Sequence, residues 1–199
     1  MCHFKEMTQR VFPKDLENKV FSTHEAYRQG LTKYDLHQFL KNEEISKIAH
    51  GYYQHERELG LDEENIFESA WIRAGNPACV CLISALAHYG LTDLIGKKVW
   101  VMVPDSRRRN YSDLKLLRVR SPQWNIGIKK NPRYWITNLE RTLVDSFIYK
   151  HQIGVQIALQ GVRKAIQRKK SNLDKIFEMG KALGVKHKIL PYLEALAEA

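Results

Sequence analysis

Apolar residues change their spacing several times along the chain, and each change predicts an element. Residues 22–29 open on Ser22 and Thr23, either of which can cap a short helix, and Glu25 stands at the capping-box distance from Ser22. Ala26 is small and mid-helix, where a second helix can cross closely. Gly30 ends the helix, because a residue without a Cβ enters the left-handed turn region cheaply. Leu31 points inward, and Thr32 caps a second helix reaching about Asn42. Along it Leu36, Phe39 and Leu40 form an apolar stripe, with Lys33, Tyr34, His37, Gln38 and Lys41 on the other face. Residues 45–48 then alternate, Ala49, His50 and Gly51 make a turn, and Tyr52 and Tyr53 follow, which predicts a two-stranded ribbon. A small residue, a glycine four later and an apolar residue six beyond that have helix-turn-helix spacing, and the ribbon reads as its wing.

Ahead of this stretch, Phe4, Met7, Val11, Leu16 and Val20 keep roughly helical spacing, broken by Pro13, so a broken first helix is expected over residues 1–21. Residues 54–66 are polar and poor in strand formers, and the domain boundary is expected there, between units at 1–55 and 66–199. Further on, a helix is expected over 66–75, stopped by Asn76 and Pro77. Residues 78–89 are almost wholly apolar and predict a buried helix, or a short strand running into one. Residues 98–104 read as a buried strand. Residues 114–121 alternate apolar and basic, the mark of a half-buried strand with a basic outer edge. Strands are also expected over 123–129 and 134–137. Asn138 then caps a helix over 139–150, and helices over 155–170, 173–183 and 186–196 finish the chain. The fold class is α+β: an N-terminal winged helix-turn-helix, then a small-sheet domain with a C-terminal helical group.

Apolar content of 44% and charged content of 27% over 199 residues describe a folded globular chain. The net charge of +10 is unevenly spread: residues 1–70 hold 9 Lys/Arg against 13 Asp/Glu, or −4, and residues 71–199 hold 23 against 9, or +14. The basic surplus therefore lies outside the helix-turn-helix, where it can add phosphate contacts or face an acidic protein. Apolar runs such as 99–103 are too short to span a bilayer, and the start of the chain has no charged-then-apolar leader. Cys2, Cys79 and Cys81 are odd in number and lack zinc spacing. They read as reduced thiols in a cytoplasmic protein without a membrane partner.

The candidate residues follow from these elements. Ser22, Thr32, Lys33, Tyr34, His37, Gln38 and Lys41 are the candidates for double-stranded DNA on the helix pair, with Lys and Gln able to reach purine edges and Tyr and His able to reach phosphate or stack. Lys47 and His50 would touch the backbone from the wing. Arg107, Arg108 and Arg109 sit consecutively in a polar loop and can clamp phosphates or an acidic partner; Lys115, Arg118 and Arg120 follow on the next strand, whose phase puts only two of them on one face. For each, a solvated face is the plainer alternative. A competing pattern is Pro104-Asp105 followed by Asp113 and Lys115, the outline of a PD…(D/E)xK nuclease, in which two carboxylates and a lysine surround a metal ion. No HExxH, nucleophile elbow or glycine-rich phosphate loop is present, so no catalytic residue, metal or cofactor is expected. The remaining alternative is a protein-interaction module that binds no DNA.

Three segments together resemble one family. His50-Gly51-Tyr52-Tyr53 is similar to the wing ending of abortive-infection antitoxins of the AbiEi type. Ile83-Ser84-Ala85-Leu86 with His88, Gly90, Leu91 and Thr92 resembles their "SAL..hGLt" segment, and Glu140-Arg141-Thr142-Leu143-Val144-Asp145 after Tyr134-Trp135-Ile136-Thr137 resembles their "ERTLvD" segment. The matches come in family order and span residues 21–145. His50 departs from the arginine that many relatives carry there, and an ordinary histidine is largely uncharged near neutral pH. The resemblance implies the antitoxin of a type IV toxin–antitoxin or phage-defence system. Such a protein represses its own promoter at inverted repeats and is associated with neutralising a cognate nucleotidyltransferase toxin.

Overall fold

A computed structural model describes residues 11–17, 19–55, 62–94 and 96–198. The protein is α+β, with two sheets and, among the described residues, nine α-helices. No helix among them is long and apolar enough to cross a membrane. The chain divides into two compact units, Met1–Ser69 and Ala70–Ala199.

In the first unit, helices α1 (Thr23–Arg28) and α2 (Lys33–Lys41) are each fixed by a capping box. Ser22 accepts from the Glu25 amide at 3.2 Å while Ser22 N–H donates to the Glu25 carboxylate at 2.8 Å. Thr32 and Asp35 repeat the arrangement at 3.2 and 2.7 Å. Between the helices Gly30 takes φ +79°, and nothing stands within 4 Å of where its Cβ would be, so this position needs glycine for its dihedral and not for space. The Leu31 N–H then donates to the Ala26 carbonyl at 3.1 Å, and Leu31 turns into the core.

Strands β1 (Val20–Ser22), β2 (Ile45–Ala49) and β3 (Tyr52–His55) form an antiparallel sheet in the order β1-β3-β2. The turn of the β2–β3 hairpin does not project freely, because the Thr23 N–H and hydroxyl both donate to the Gly51 carbonyl, at 2.8 and 3.2 Å.

The broken helix expected over residues 1–21 is not what the described part forms. Phe4 and Met7 lie outside the described residues. From Val11 the chain makes a single 3-10 turn, Lys14–Leu16, with Pro13 at its N-cap, and then enters β1. Pro13 disfavours a helix running through it, and Val20 and Phe21 pair with β3 instead. Val11 is 89% exposed, whereas Phe12 drops into the core edge-on to Phe39, ring centroids 5.2 Å apart.

The last turn of α3 (Glu63–Ala74) begins the second unit. Its sheet has the order β6-β5-β4-β8-β7, built from β4 (Cys79–Val80), β5 (Val99–Pro104), β6 (Leu114–Val119), β7 (Ile128–Lys130) and β8 (Trp135–Thr137). Residues 78–89 resolve as strand into helix: β4 leads directly to α4 (Leu82–His88). α5 (Leu139–Ile148) starts at Asn138, whose side chain accepts from the Arg141 amide at 2.8 Å. One-turn α6 (Lys150–Ile153), not expected from the sequence, leads to α7 (Val155–Gln167), α8 (Leu173–Ala182) and α9 (Lys186–Ala197). Met102 and Leu117 face a large core with α4, α5 and α7–α9, while Val101, Val103 and Leu114 face Ala70 and Ala74 on the other side.

β5 and β6 run parallel, Val99 opposite Leu114 and Pro104 opposite Val119. The nine residues 105–113 must therefore carry the chain back along the sheet by about six residues, roughly 20 Å at strand rise. A parallel connection usually uses a longer, helical crossover. Here an extended strap does it, and most of its polar groups are spent on holding it down.

Residues 123–129 form no continuous strand. Residues 122–127 turn, and only Ile128–Lys130 pair, with β8. The cause is a residue far along the chain. Arg141 donates to the Ile126 carbonyl at 2.7 Å and reaches those of Gln123 and Trp124 at 3.3 and 3.4 Å, drawing the backbone into a turn. Gly127, with φ +70°, lies where a Cβ would meet the Arg141 Cβ at 2.8 Å.

Candidate nucleic-acid interface

α2 sorts its side chains by face. Leu36 and Phe39 are buried and Leu40 is half-buried. Lys33, Tyr34, His37 and Lys41 are exposed, Tyr34 at 52%, and Gln38 is half-buried. Thr32 is exposed at the N-cap, but its hydroxyl is engaged with Asp35 at 2.7 Å. Ser22 is engaged likewise with Glu25 at 2.8 Å. These two hydroxyls shape the helix starts, leaving the polar contacts of the face to Lys33, Tyr34, His37, Gln38 and Lys41. Lys47 on β2 and His50 in the hairpin turn are exposed as well.

The arginine run does not behave as a unit. The Arg107 guanidinium donates to the carbonyls of Gly75 and Asn76, both at 3.2 Å. Arg118 anchors the same strap by donating to the Arg107 carbonyl at 2.8 Å and the Asn110 side-chain oxygen at 2.7 Å. At the strap's ends Arg120 pairs with Asp105 at 2.7 Å, and Arg73 holds Asp113 through two bonds of 2.5 and 2.6 Å. The hydrogen bonds from Arg73 hold the Asp113 carboxyl below its ordinary pKa. Tyr111 donates to the Arg73 carbonyl and lies under its guanidinium. Arg108 and Arg109 remain exposed, with side chains that make no hydrogen bond or ion pair among the described residues. Of the six basic candidates here, Arg107 and Arg118 are structural, Arg120 is paired, and Arg108, Arg109 and Lys115 present charge outward.

The parallel register also separates the nuclease-like set. Asp113 lies before the start of β6 and Asp105 after the end of β5, so the two residues stand at opposite ends of the strand pair, their backbones about 20 Å apart along the strands. Each already has an arginine partner. A single metal-centred arrangement of Asp105, Asp113 and Lys115 is not formed.

Arg141 and Asp145 form a buried pair at 2.8 Å, each side chain 5% exposed. Both charges are out of water, and the cation also ties down the 122–127 turn. Burial pushes the Asp145 carboxyl up to about 6, against the downward pull of Arg141. Cys79 and Cys81 are buried free thiols, and burial raises both well above the usual thiol range.

An open cleft of about 480 Å³, lined by Lys97, Lys98, Trp100, Lys115 and Gln152, was only partly anticipated. Lys115 was a candidate. The Lys97-Lys98 doublet was a visible signal, but pairing Trp100 beside Lys115 depends on the parallel register.

No protein-family model matches the chain, and no curated protein matches it significantly.

Proposed function

We propose that this chain is a sequence-reading DNA-binding regulator. More particularly, it is the antitoxin and autorepressor of a type IV toxin–antitoxin or phage-defence system. The observation that carries the first step is α2, a doubly anchored helix with one buried apolar side and an exposed face of Lys33, Tyr34, His37 and Lys41, beside half-exposed Gln38. The order of a short helix, the Gly30 turn, α2 and a trailing hairpin supports a winged helix-turn-helix reading, and proteins of that kind lay their second helix in the major groove. Lys33 suits guanine O6 and N7, and Gln38 suits the adenine N6/N7 edge. Lys47 and the exposed Arg108 and Arg109 suit phosphates, and the +14 of residues 71–199 offsets the −4 of the first part in the field of a polyanion. Two copies reading inverted repeats would occlude the promoter. The antitoxin step, with its cytoplasmic site and nucleotidyltransferase partner, rests on the sequence resemblance in residues 50–53, 83–92 and 134–145.

The test is electrophoretic retardation of the chain's own upstream DNA against a shuffled duplex of equal length. Lys33→Ala with Gln38→Ala should cut the preference for the upstream sequence by about tenfold or more, at unchanged thermal stability. Equal retardation by wild type and variant refutes α2 as the reader. The acidic balance of residues 1–70 favours one rival, an antitoxin that binds only protein. That reading predicts no retardation of either duplex together with retained capture of the toxin encoded next to it.

A further inference from the structure

The cleft at one end of the five-stranded sheet goes beyond this reading. Trp100 and Lys115 are direct neighbours across the β5–β6 pair, so their side chains rise on the same face of the sheet. The Lys115 ammonium stands 5.7 Å from the centre of the Trp100 indole. That position marks the ring face as reachable from the solvent side, since Lys115 itself is exposed. Lys97 and Lys98 come from the segment just before β5, and Gln152 comes from α6, closing the opposite wall.

The lining holds three ammonium groups, one large aromatic, one carboxamide and no carboxylate. Asp113 lies within the influence of Lys98 but is already held by two bonds from Arg73. Among the described residues, no carboxylate pairs with Lys97, Lys98 or Lys115. Three ammonium groups on one cleft whose lining holds no carboxylate favour a multiply charged anion. A volume of about 480 Å³ is that of a site for a small organic ligand.

We infer that this cleft binds a nucleoside polyphosphate, with the phosphates among Lys97, Lys98 and Lys115 and the base against Trp100. Occupancy moves the Lys115 ammonium off the indole onto phosphate, exchanging a cation–π contact for a charge-assisted hydrogen bond and freeing the ring to stack. Gln152 supplies one donor and one acceptor for the sugar or the base edge. The separate roles of ring and ammonium groups distinguish a nucleotide from a bare polyphosphate chain.

The experiment is isothermal titration calorimetry of the full chain at about 0.1 M salt with ATP, tripolyphosphate and adenosine, without DNA. ATP should bind, tripolyphosphate should bind several-fold more weakly, and adenosine should not bind measurably. Lys98→Ala and Lys115→Ala are exposed changes that should leave the melting temperature in place. Each should weaken ATP about tenfold, the usual loss of one charged hydrogen bond. Trp100→Leu should erase the advantage of ATP over tripolyphosphate, because base–aromatic stacking contributes about fivefold or more. Tripolyphosphate binding as tightly as ATP overturns the nucleotide assignment, and so does the absence of any heat with ATP at millimolar concentration. DNA retardation of the same lysine variants separates the two proposals. A loss of DNA binding with no ATP binding by the wild type assigns the lysines to DNA and overturns the cleft as a nucleotide site. Intact ATP binding with no DNA retardation leaves the cleft standing and removes the regulator.

Discussion

Replacing Arg141 with methionine keeps much of the aliphatic volume and removes the charge from a buried ion pair whose side chains are each 5% exposed. Three things are lost together. Asp145 keeps its burial but loses the cation 2.8 Å away, the Ile126 carbonyl loses its donor at 2.7 Å, and the turn over residues 122–127 loses its tie to α5. Stripping one partner from a buried pair costs about 3–5 kcal/mol. An exposed pair such as Lys181–Glu178, whose side chains are 47% and 64% exposed, contributes about 0–1 kcal/mol. The pH dependence identifies the mechanism. The Asp145 pKa is raised in the fold, from an ordinary value of 3.8 to about 6. Its contribution to stability is therefore fully present below the unfolded value and is lost as pH rises through about 6. Without Arg141 the folded pKa climbs further, so the penalty is largest in alkali and relaxes once the carboxyl takes up a proton. Urea denaturation of wild type and Arg141→Met at pH 8 and pH 5 should show a loss of about 3–5 kcal/mol at pH 8. At pH 5 it should shrink to about 1–3 kcal/mol, the cost of the orphaned carbonyl and repacking. A loss below about 1 kcal/mol at pH 8, or an equal loss at both pH values, refutes the assignment of this pair as what holds the turn.

Thr32→Ala removes the side-chain half of the α2 capping box and should lower stability by about 1 kcal/mol, measured by thermal denaturation; an unchanged midpoint contradicts the cap. Arg108→Ala with Arg109→Ala should leave stability unchanged and reduce the slope of log affinity against log salt for DNA by about 1.8, from two phosphate contacts. Arg107→Ala should instead lower stability and leave the slope alone, since its guanidinium serves the Gly75 and Asn76 carbonyls. With Cys2 replaced by serine, the two remaining thiols should react with a disulfide reagent only after unfolding, because Cys79 and Cys81 are fully buried and raised in pKa. Rapid labelling of the folded protein would contradict that burial.

What was legible in the sequence was what is decided locally. The caps at Ser22, Thr32 and Asn138, the Gly30 turn and the α2 stripe are written within a few residues each, and all of them form. The ribbon after α2 was legible for the same reason, as alternation broken by a glycine turn. What escaped depends on distant partners. β1 is three residues paired with β3, some thirty positions away. The turn over 122–127 is imposed by Arg141, which sits on a helix that starts a dozen residues later. Strand direction is invisible to spacing: Asp105 and Asp113 flank one loop in the sequence, and only the parallel pairing of β5 and β6 shows that they lie at opposite ends of the strand pair. The same hidden register brings Arg118 to the strap that it anchors and places Lys115 beside Trp100.

The proposed reader is the exposed face of α2, set against duplex edges. A two-dimensional amide NMR titration of the full chain with its own upstream duplex tests this most directly. Shifts should concentrate in residues 32–41 and 47–52, with Lys33, His37 and Gln38 among the largest and with much smaller changes for a shuffled duplex. Undisturbed α2 signals at a DNA concentration that saturates binding would contradict it.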